Sequence, residues 1–288
     1  MTNFGFGQIN ITGDNYRIFD AKGNPATLDD IVKTAEKNDV VFLGELHDDA
    51  VGHALQFQIF KAVVEKYQRE RKVALSLEMF ERDVQVVLNE YLKNQITEQH
   101  FLSSSRPWGN YKTDYRPLVE LAKANYLPVI AANAPRRYVN MVSRLGKDSL
   151  NGLSEEAKKW LAPLPFGEPS EAYAKKFAAL MGQTDSITPQ QHSPMLYSQT
   201  LWDATMAHSI ARFLKANKKS LVVNLNGGFH TENRLGTAEH LLKYDKKAKF
   251  LVVTMRYEEK FTEFDKAKHT DLGDFVILTD SKIPRSQR

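Results

Sequence analysis

Two short patterns in the sequence place a glycine three residues before a histidine, each time at or just after the end of an apolar segment. The first pattern ends at His47 and contains Glu45, and the second ends at His230. Glu78 stands near the end of another apolar segment. Carboxylates and imidazoles that lie together can transfer protons or bind a hard or borderline metal ion. We therefore predict that Glu45, His47, Glu78 and His230 form one acid–base or divalent-metal site.

The apolar segments are predicted strands, and they would have to bring these side chains together. They cover residues 39–44, 72–79, 127–132, 220–225, 250–255 and 275–279. Near-continuous apolar strands that alternate with amphipathic helices are typical of a mostly parallel sheet covered on both faces. In such a sheet the carboxyl ends of the strands share one edge, where polar side chains can face a crevice. The sequence thus predicts an α/β fold with a mostly parallel central sheet of about six strands flanked by helices.

The segment at about 138–219 shows no strand pattern. It contains helical patterns separated by prolines, and it ends in a long predicted helix. We interpret this segment as a helical insertion between the third and fourth core strands, within a single α/β domain that spans residues 1–288.

The composition narrows the classes of function. The chain contains 0 cysteines, which excludes disulfides, thiolate metal sites and cysteine nucleophiles. The formal net charge of +4 is spread along the chain, so no nucleic-acid-binding surface is predicted. No apolar run approaches the roughly 20 residues of a membrane-spanning helix, and the first residues show no export signal. His53, His100, His240 and His269 lack a comparable setting and are predicted to lie at the surface.

Several motifs occur in a fixed order along the chain: GELHDD at 44–49, LEMFER at 77–82, Trp108 with YRP at 115–117, NAPR at 133–136 and QTLWDATMA at 199–207. Together they resemble the ChaN-like haem-binding lipoproteins, within the superfamily that also holds Tiki proteases, TraB proteins and erythromycin esterases. The similarity extends over about residues 39–255. Residues 226–230 depart from the pattern, since they read NGGFH where a form closer to GNGH is expected. His230 is retained, so the site is expected to survive.

This resemblance implies a bacterial lipoprotein of the outer membrane or periplasm that takes part in haem or iron uptake. Its implied partners are haem, an outer-membrane haem receptor and a second copy of the chain in a homodimer. Membrane attachment would be through a lipid anchor that this chain does not contain.

The resemblance also implies that ferric haem is ligated by a tyrosine, because phenolate is a hard anionic donor. Tyr197 and Tyr115 are the candidate ligands, and His192 is a candidate second ligand near Tyr197. Trp108 lies in a loop that could stack on a porphyrin face, and Arg136 could neutralise a carboxylate of the ligand.

Two functions remain open at this point. A haem-binding protein should present an exposed apolar platform together with a tyrosine or histidine ligand. The alternative is an esterase- or protease-like hydrolase that uses the crevice, either with a metal ion or through its glutamates and histidines. In that case His47 or His230 is the general base and water is the nucleophile. The resemblance favours haem binding and leaves open whether an enzymatic activity accompanies it.

Overall fold

The computed structural model describes residues 11–182 and 193–286 of the chain. Its eight strands form one sheet: β1 (Tyr16–Asp20), β2 (Pro25–Ala26), β3 (Val40–Glu45), β4 (Lys72–Glu81), β5 (Val129–Asn133), β6 (Ser220–Gly227), β7 (Phe250–Glu258) and β8 (Phe275–Asp280). The strand order is β2-β1-β8-β7-β3-β6-β4-β5. Only the pairs that involve β1 are antiparallel among the described residues. The predicted mostly parallel sheet is confirmed, and the short hairpin of β1 and β2 adds two strands to the expected six.

Helices cover both faces of the sheet. They are α1 (Leu28–Thr34), α2 (Ala50–Tyr67), α3 (Gln85–Leu92), α4 (Glu98–Ser105), α5 (Arg116–Ala124), α6 (Arg136–Leu145), α7 (Glu155–Lys158), α8 (Glu171–Leu180), α9 (Pro194–Ala216), α10 (Thr237–Tyr244) and α11 (Lys266–His269). A π-helical turn (Tyr111–Tyr115) precedes α5. Within the described part of the chain, no helix is both long enough and apolar enough to cross a membrane.

The alternation of side chains along β3 assigns neighbouring residues to opposite faces of the sheet. Val41 and Leu43 join the hydrophobic cluster that contains the inner face of α2. Val40 and Phe42 join the cluster that contains the inner face of α9. All six residues of β3 are buried, which explains the continuous apolar run in the sequence. Glu45 lies two and four residues after Leu43 and Val41, so its side chain points to the same face of the sheet, the one that α2 covers.

The predicted helical insertion corresponds to α6–α9, which lie between β5 and β6. The described residues of this segment form no strand. Helix α9 packs on β5, α6 and α10. Two side-chain hydrogen bonds also hold α9 against its neighbours: the Ser198 hydroxyl donates to the carbonyl of Val139, and the Ser209 hydroxyl donates to the carbonyl of Ala132. That residues 1–288 form a single domain stays a prediction.

Candidate functional site

The carboxyl ends of β3, β4, β5, β6 and β7 surround a cavity of about 550 Å³, which we call the crevice. Its lining includes all four residues predicted from the strand-end patterns, namely Glu45, His47, Glu78 and His230. Trp108 and Arg136 also line it. The convergence follows from the parallel sheet, because each of these residues lies at or just beyond the carboxyl end of a strand. Two carboxylate–histidine pairs result, one on each face of the sheet.

The first pair, on the α2 face, consists of Glu45 and His47. The fully buried carboxylate of Glu45 accepts hydrogen bonds from Nδ1 of His47 (2.8 Å), from the Tyr115 hydroxyl (2.6 Å) and from Nε2 of Gln56 (2.7 Å). An ionised carboxylate can only accept, so Nδ1 of His47 carries a proton. When this ring is neutral, its lone pair is therefore on Nε2.

The charge of Glu45 is compensated by His53 on α2. Nδ1 of His53 lies 3.6 Å from Oε2 of Glu45, and its Nε2 lies 3.5 Å from Oδ2 of Asp114. Burial opposes ionisation of Glu45, but the charge of His53 and the hydrogen bond from His47 outweigh it and lower the pKa of Glu45. Burial likewise opposes protonation of His53, but Glu45 and Asp114 outweigh it and raise the pKa of His53.

The second pair, on the α9 face, consists of His230 and Asp203. Nδ1 of His230 donates to Oδ1 of Asp203 at 2.8 Å, and the same carboxylate accepts from the hydroxyls of Thr237 (2.7 Å) and Tyr173. Nε2 of His230 lies 3.7 Å from Oε1 of Glu78. Burial alone would lower the pKa of His230, but the charges of Asp203 and Glu78 raise it to about 9. The two carboxylates therefore favour the protonated form of His230.

The two pairs meet at Gly227. A Cβ atom on this glycine would lie 2.8 Å from Nε2 of His47 and 3.7 Å from Cδ2 of His230. The amide of Gly227 donates to Oε2 of Glu78 at 2.7 Å. Trp108 packs edge-on against His47, with ring centroids 4.9 Å apart. Both imidazoles thus reach the same small volume from opposite faces of the sheet.

The tyrosines predicted as haem ligands lie outside the crevice lining. Tyr115 is buried, donates to Glu45, and has a pKa well above its usual value because of burial and the charge of Glu45. Tyr197 lies in the first turn of α9, where its hydroxyl donates to Oε2 of Glu168 at 2.7 Å and lies 3.4 Å from Nζ of Lys147. Burial and Glu168 raise the pKa of Tyr197, and Lys147 opposes this effect.

Arg136 and His192 complete the predicted set. Arg136 begins α6 and is exposed at the rim of the crevice. His192 lies outside the described residues. The roles of both residues stay predictions.

The divalent-metal alternative finds no support in the geometry. Across residues 11–182 and 193–286, no three histidine, aspartate or glutamate side chains are arranged to hold a metal ion. Two carboxylates of the crevice already accept hydrogen bonds from the protein: Glu45 accepts three, and Glu78 accepts one from the Gly227 amide.

Some residues of the site are absent from the sequence-based prediction. The prediction that His53, His240 and His269 are surface residues is wrong, because all three are buried. His53 precedes Phe60 and Tyr67 by seven and fourteen residues, a helical spacing that could have placed it on the inner face of α2. Asp203 carried a weaker signal, namely a single acid in an otherwise apolar stretch of a long helix.

Comparison with known proteins places the chain in a family. A family model described as "Haem-binding uptake, Tiki superfamily, ChaN" matches residues 31–241. The structure of ChaN of Campylobacter jejuni, described as showing cofacial haem binding, superposes with a TM-score of 0.67 and 20% sequence identity. The alignment covers 93% of this chain and 98% of that one, and it confirms the α/β fold.

A curated relative is the protein RETICULATA-RELATED 5, chloroplastic, of Arabidopsis thaliana. It is 25% identical over 254 residues, which are 82% of this chain and 33% of that protein. The chain thus spans about a third of the length of this relative. The family match, by contrast, extends from α1 to α10 and includes every strand that surrounds the crevice except β7. On this basis the chain belongs to the ChaN family of haem-binding uptake proteins, within the Tiki superfamily.

Proposed function

We propose that this protein binds ferric haem on its helical insertion and ligates the iron through Tyr197. The observation that carries the proposal is the family match over residues 31–241, which contains the whole insertion. We further propose that the protein acts in haem or iron uptake as a lipid-anchored protein of the outer membrane or periplasm. Its proposed partners are an outer-membrane haem receptor and a second copy of itself.

Exposed apolar side chains support a haem site on the insertion. Leu180 and Met181, at the end of α8, are 65% and 48% exposed, and Met195, at the start of α9, is 46% exposed. These three residues flank the segment 183–192 on both sides. Large exposed apolar side chains can mark a ligand-binding surface, and Leu180 also lines the crevice. The flat faces of a porphyrin provide an apolar ligand of the required kind.

The surroundings of Tyr197 suit an anionic ligand better than those of Tyr115. The Tyr197 hydroxyl donates to Oε2 of Glu168, which opposes a phenolate, but the cation of Lys147, whose Nζ lies 3.4 Å from the hydroxyl and 4.4 Å from the ring centroid, favours one. Tyr115 donates to the buried carboxylate of Glu45, and a second negative charge there would be strongly unfavourable. Tyr197 is also only partly buried, which leaves it within reach of a ligand.

Three predicted residues have supporting roles in this proposal. His192 would be the second ligand or polar partner of the iron. Arg136, exposed at the crevice rim, would neutralise a propionate, since guanidinium groups bind carboxylates through paired hydrogen bonds. Trp108 would contact the porphyrin from the crevice side.

A haemin titration tests the proposal. We expect a saturable spectrum of high-spin ferric haem with an anionic oxygen ligand, visible in the Soret and charge-transfer regions. Tyr197→Phe should alter that spectrum and weaken binding at least tenfold, whereas the matched control Tyr126→Phe, at a 93% exposed tyrosine, should leave both unchanged. An unaltered spectrum in Tyr197→Phe would remove this tyrosine as the ligand, and the absence of any saturable change in the wild type would refute haem binding.

A further inference from the structure

Arg82, directly after β4, is a buried cation without a carboxylate partner. Only 6% of its surface is exposed. The described residues provide no ion pair for its guanidinium, and Asp83, the next residue, pairs with Arg106 and Arg137 instead. Arginine is almost never buried to this extent unless it is paired, because an isolated buried charge is costly. The guanidinium of Arg82 is therefore suited to a negative partner from outside the chain.

Most N–H groups of Arg82 are unused. Its Nη1 donates to the carbonyl of Leu161 at 2.8 Å and to Nδ1 of His208 at 3.3 Å. A guanidinium carries five N–H donors, and no group in the described part of the chain accepts from Nε or Nη2. These two nitrogens form one edge of the guanidinium, and such an edge can bind two oxygens of the same anion.

His208, on α9, adds a neutral donor beside Arg82. Its Nδ1 accepts from Arg82, so its own proton is on Nε2. Burial, together with the charges of Arg82 and Arg212, lowers the pKa of His208 to about 4. The ring is therefore an N–H donor that stays neutral at neutral pH. Half-buried Tyr244 packs against this ring, with centroids 5.1 Å apart.

Arg212 brings a second cation to the same place. It is exposed and lies four residues after His208 on α9, a spacing that makes the two side chains neighbours on the helix surface. Burial and the charge of Arg212 lower the pKa of Arg82 to about 10, so both arginines are charged at neutral pH. Across residues 11–182 and 193–286, no carboxylate contributes to the pKa of Arg82 or of His208. Two like charges without an acid nearby are unfavourable, and an anion bound between them would remove this cost.

We propose that Arg82, His208 and Arg212 form a binding site for a phosphate group, either as free phosphate or as part of a phosphate monoester. Nε and Nη2 of Arg82 would bind two of its oxygens, and the Arg212 guanidinium and Nε2 of His208 would donate to the others. Donors from three side chains suit the tetrahedral oxygens of phosphate better than a planar carboxylate, and arginine is well matched to phosphate geometry.

The phosphate site is separate from the proposed haem ligand. His208 and Arg212 follow Tyr197 by 11 and 15 residues on α9, which correspond to about 16 and 22 Å along the helix axis at about 1.5 Å per residue. Neither His208 nor Arg212 lines the crevice. Binding of phosphate and binding of haem can therefore be tested independently.

The test is calorimetric titration of the full chain with inorganic phosphate and, separately, with glycerol 3-phosphate, in a chloride buffer at neutral pH. We expect saturable binding that weakens at least tenfold in Arg212→Gln. Arg82→Lys should weaken it as well, because an ammonium cannot bridge two oxygens in the way a guanidinium does. Arg69→Gln removes the same charge at another exposed arginine and should bind as wild type. Tighter binding of glycerol 3-phosphate would identify a phosphate ester as the ligand, and equal or weaker binding would identify free phosphate.

Thermal unfolding and the haem spectrum provide two further readouts. Without phosphate, Arg212→Gln should unfold at the wild-type midpoint or above it, because the variant loses the repulsion with Arg82. Phosphate should raise the midpoint of wild type and Arg69→Gln more than that of Arg212→Gln. Arg212→Gln should also keep the wild-type haem spectrum and haem affinity. The proposal is overturned if neither probe binds saturably, if Arg212→Gln binds both as wild type does, or if Arg212→Gln loses haem affinity, which would assign the cluster to the haem carboxylates.

Discussion

Replacing Asp203 by asparagine should abolish a pH-dependent part of the stability of this protein. Asp203 is fully buried and contributes more than any other residue to holding His230 in its charged form, through a 2.8 Å hydrogen bond and its own negative charge. Asparagine keeps the size of the side chain and an oxygen that can accept from Thr237, but it removes the charge. Burial then dominates at His230 and lowers its pKa.

The magnitude follows from the shift at His230. Folding raises its pKa from 6.5 to about 9, and at about 1.4 kcal/mol per unit this corresponds to about 3 kcal/mol. Because the folded state binds the proton more tightly, this stability is fully present below pH 6.5 and is lost as pH rises through about 9. In Asp203→Asn the same contribution should be absent throughout that range.

Urea-induced unfolding of both proteins between pH 6 and pH 10 provides the assay. Other groups titrate in both, so the informative quantity is the difference in free energy of unfolding between wild type and variant. We expect this difference to shrink by about 3 kcal/mol from pH 6.5 to pH 10. A difference that does not depend on pH would refute the reasoning, because it would mean that His230 is uncharged in the folded protein. An NMR titration of His230 gives the same answer directly.

Two substitutions on the α2 side of the sheet have equally definite outcomes. Tyr115→Phe removes the 2.6 Å hydrogen bond to the buried carboxylate of Glu45 and should lower the free energy of unfolding by about 1–3 kcal/mol. The haem spectrum should not change, and a changed spectrum would assign ligation to Tyr115. Asp49→Ala removes the N-cap of α2 and the 2.7 Å contact with Thr279 on β8, and should cost about 2 kcal/mol in thermal unfolding. The neighbouring variant Asp48→Ala, which removes a partly exposed ion pair with Arg285, should cost less than about 1 kcal/mol, and equal losses in the two variants would contradict the capping role.

The sheet and its carboxyl edge could be predicted because their signals are local. In β3 an apolar run gives way to a glutamate and then a histidine, and a similar change at the ends of β4 and β6 marks the same edge. A parallel sheet brings such ends together whatever the lengths of the connections. The convergence of Glu45, His47, Glu78 and His230 therefore needed no knowledge of the helices.

The partners of these residues could not be predicted, because they come from distant parts of the chain. Asp203 is 27 residues from His230 and lies on a helix whose rotation about its axis is set by packing against β5 and α6. Tyr115 reaches Glu45 across 70 residues through a π-helical turn, which has no reliable sequence signature. Hydrophobic periodicity identifies the inner face of a helix but not the residue that this face will meet.

Helix α9 connects the proposed haem ligand to the buried pair of Asp203 and His230, and this connection has a thermodynamic consequence. Tyr197 lies in its first turn and Asp203 six residues later, about 9 Å along the axis at 1.5 Å per residue. Hydrogen bonds from Ser198 and Ser209 fasten the same helix to its neighbours at two points. Iron bound at the first turn and a proton bound at His230 would therefore act on the same helix. Any factor by which haem changes the proton affinity of His230 must equal the factor by which protonation of His230 changes the affinity for haem.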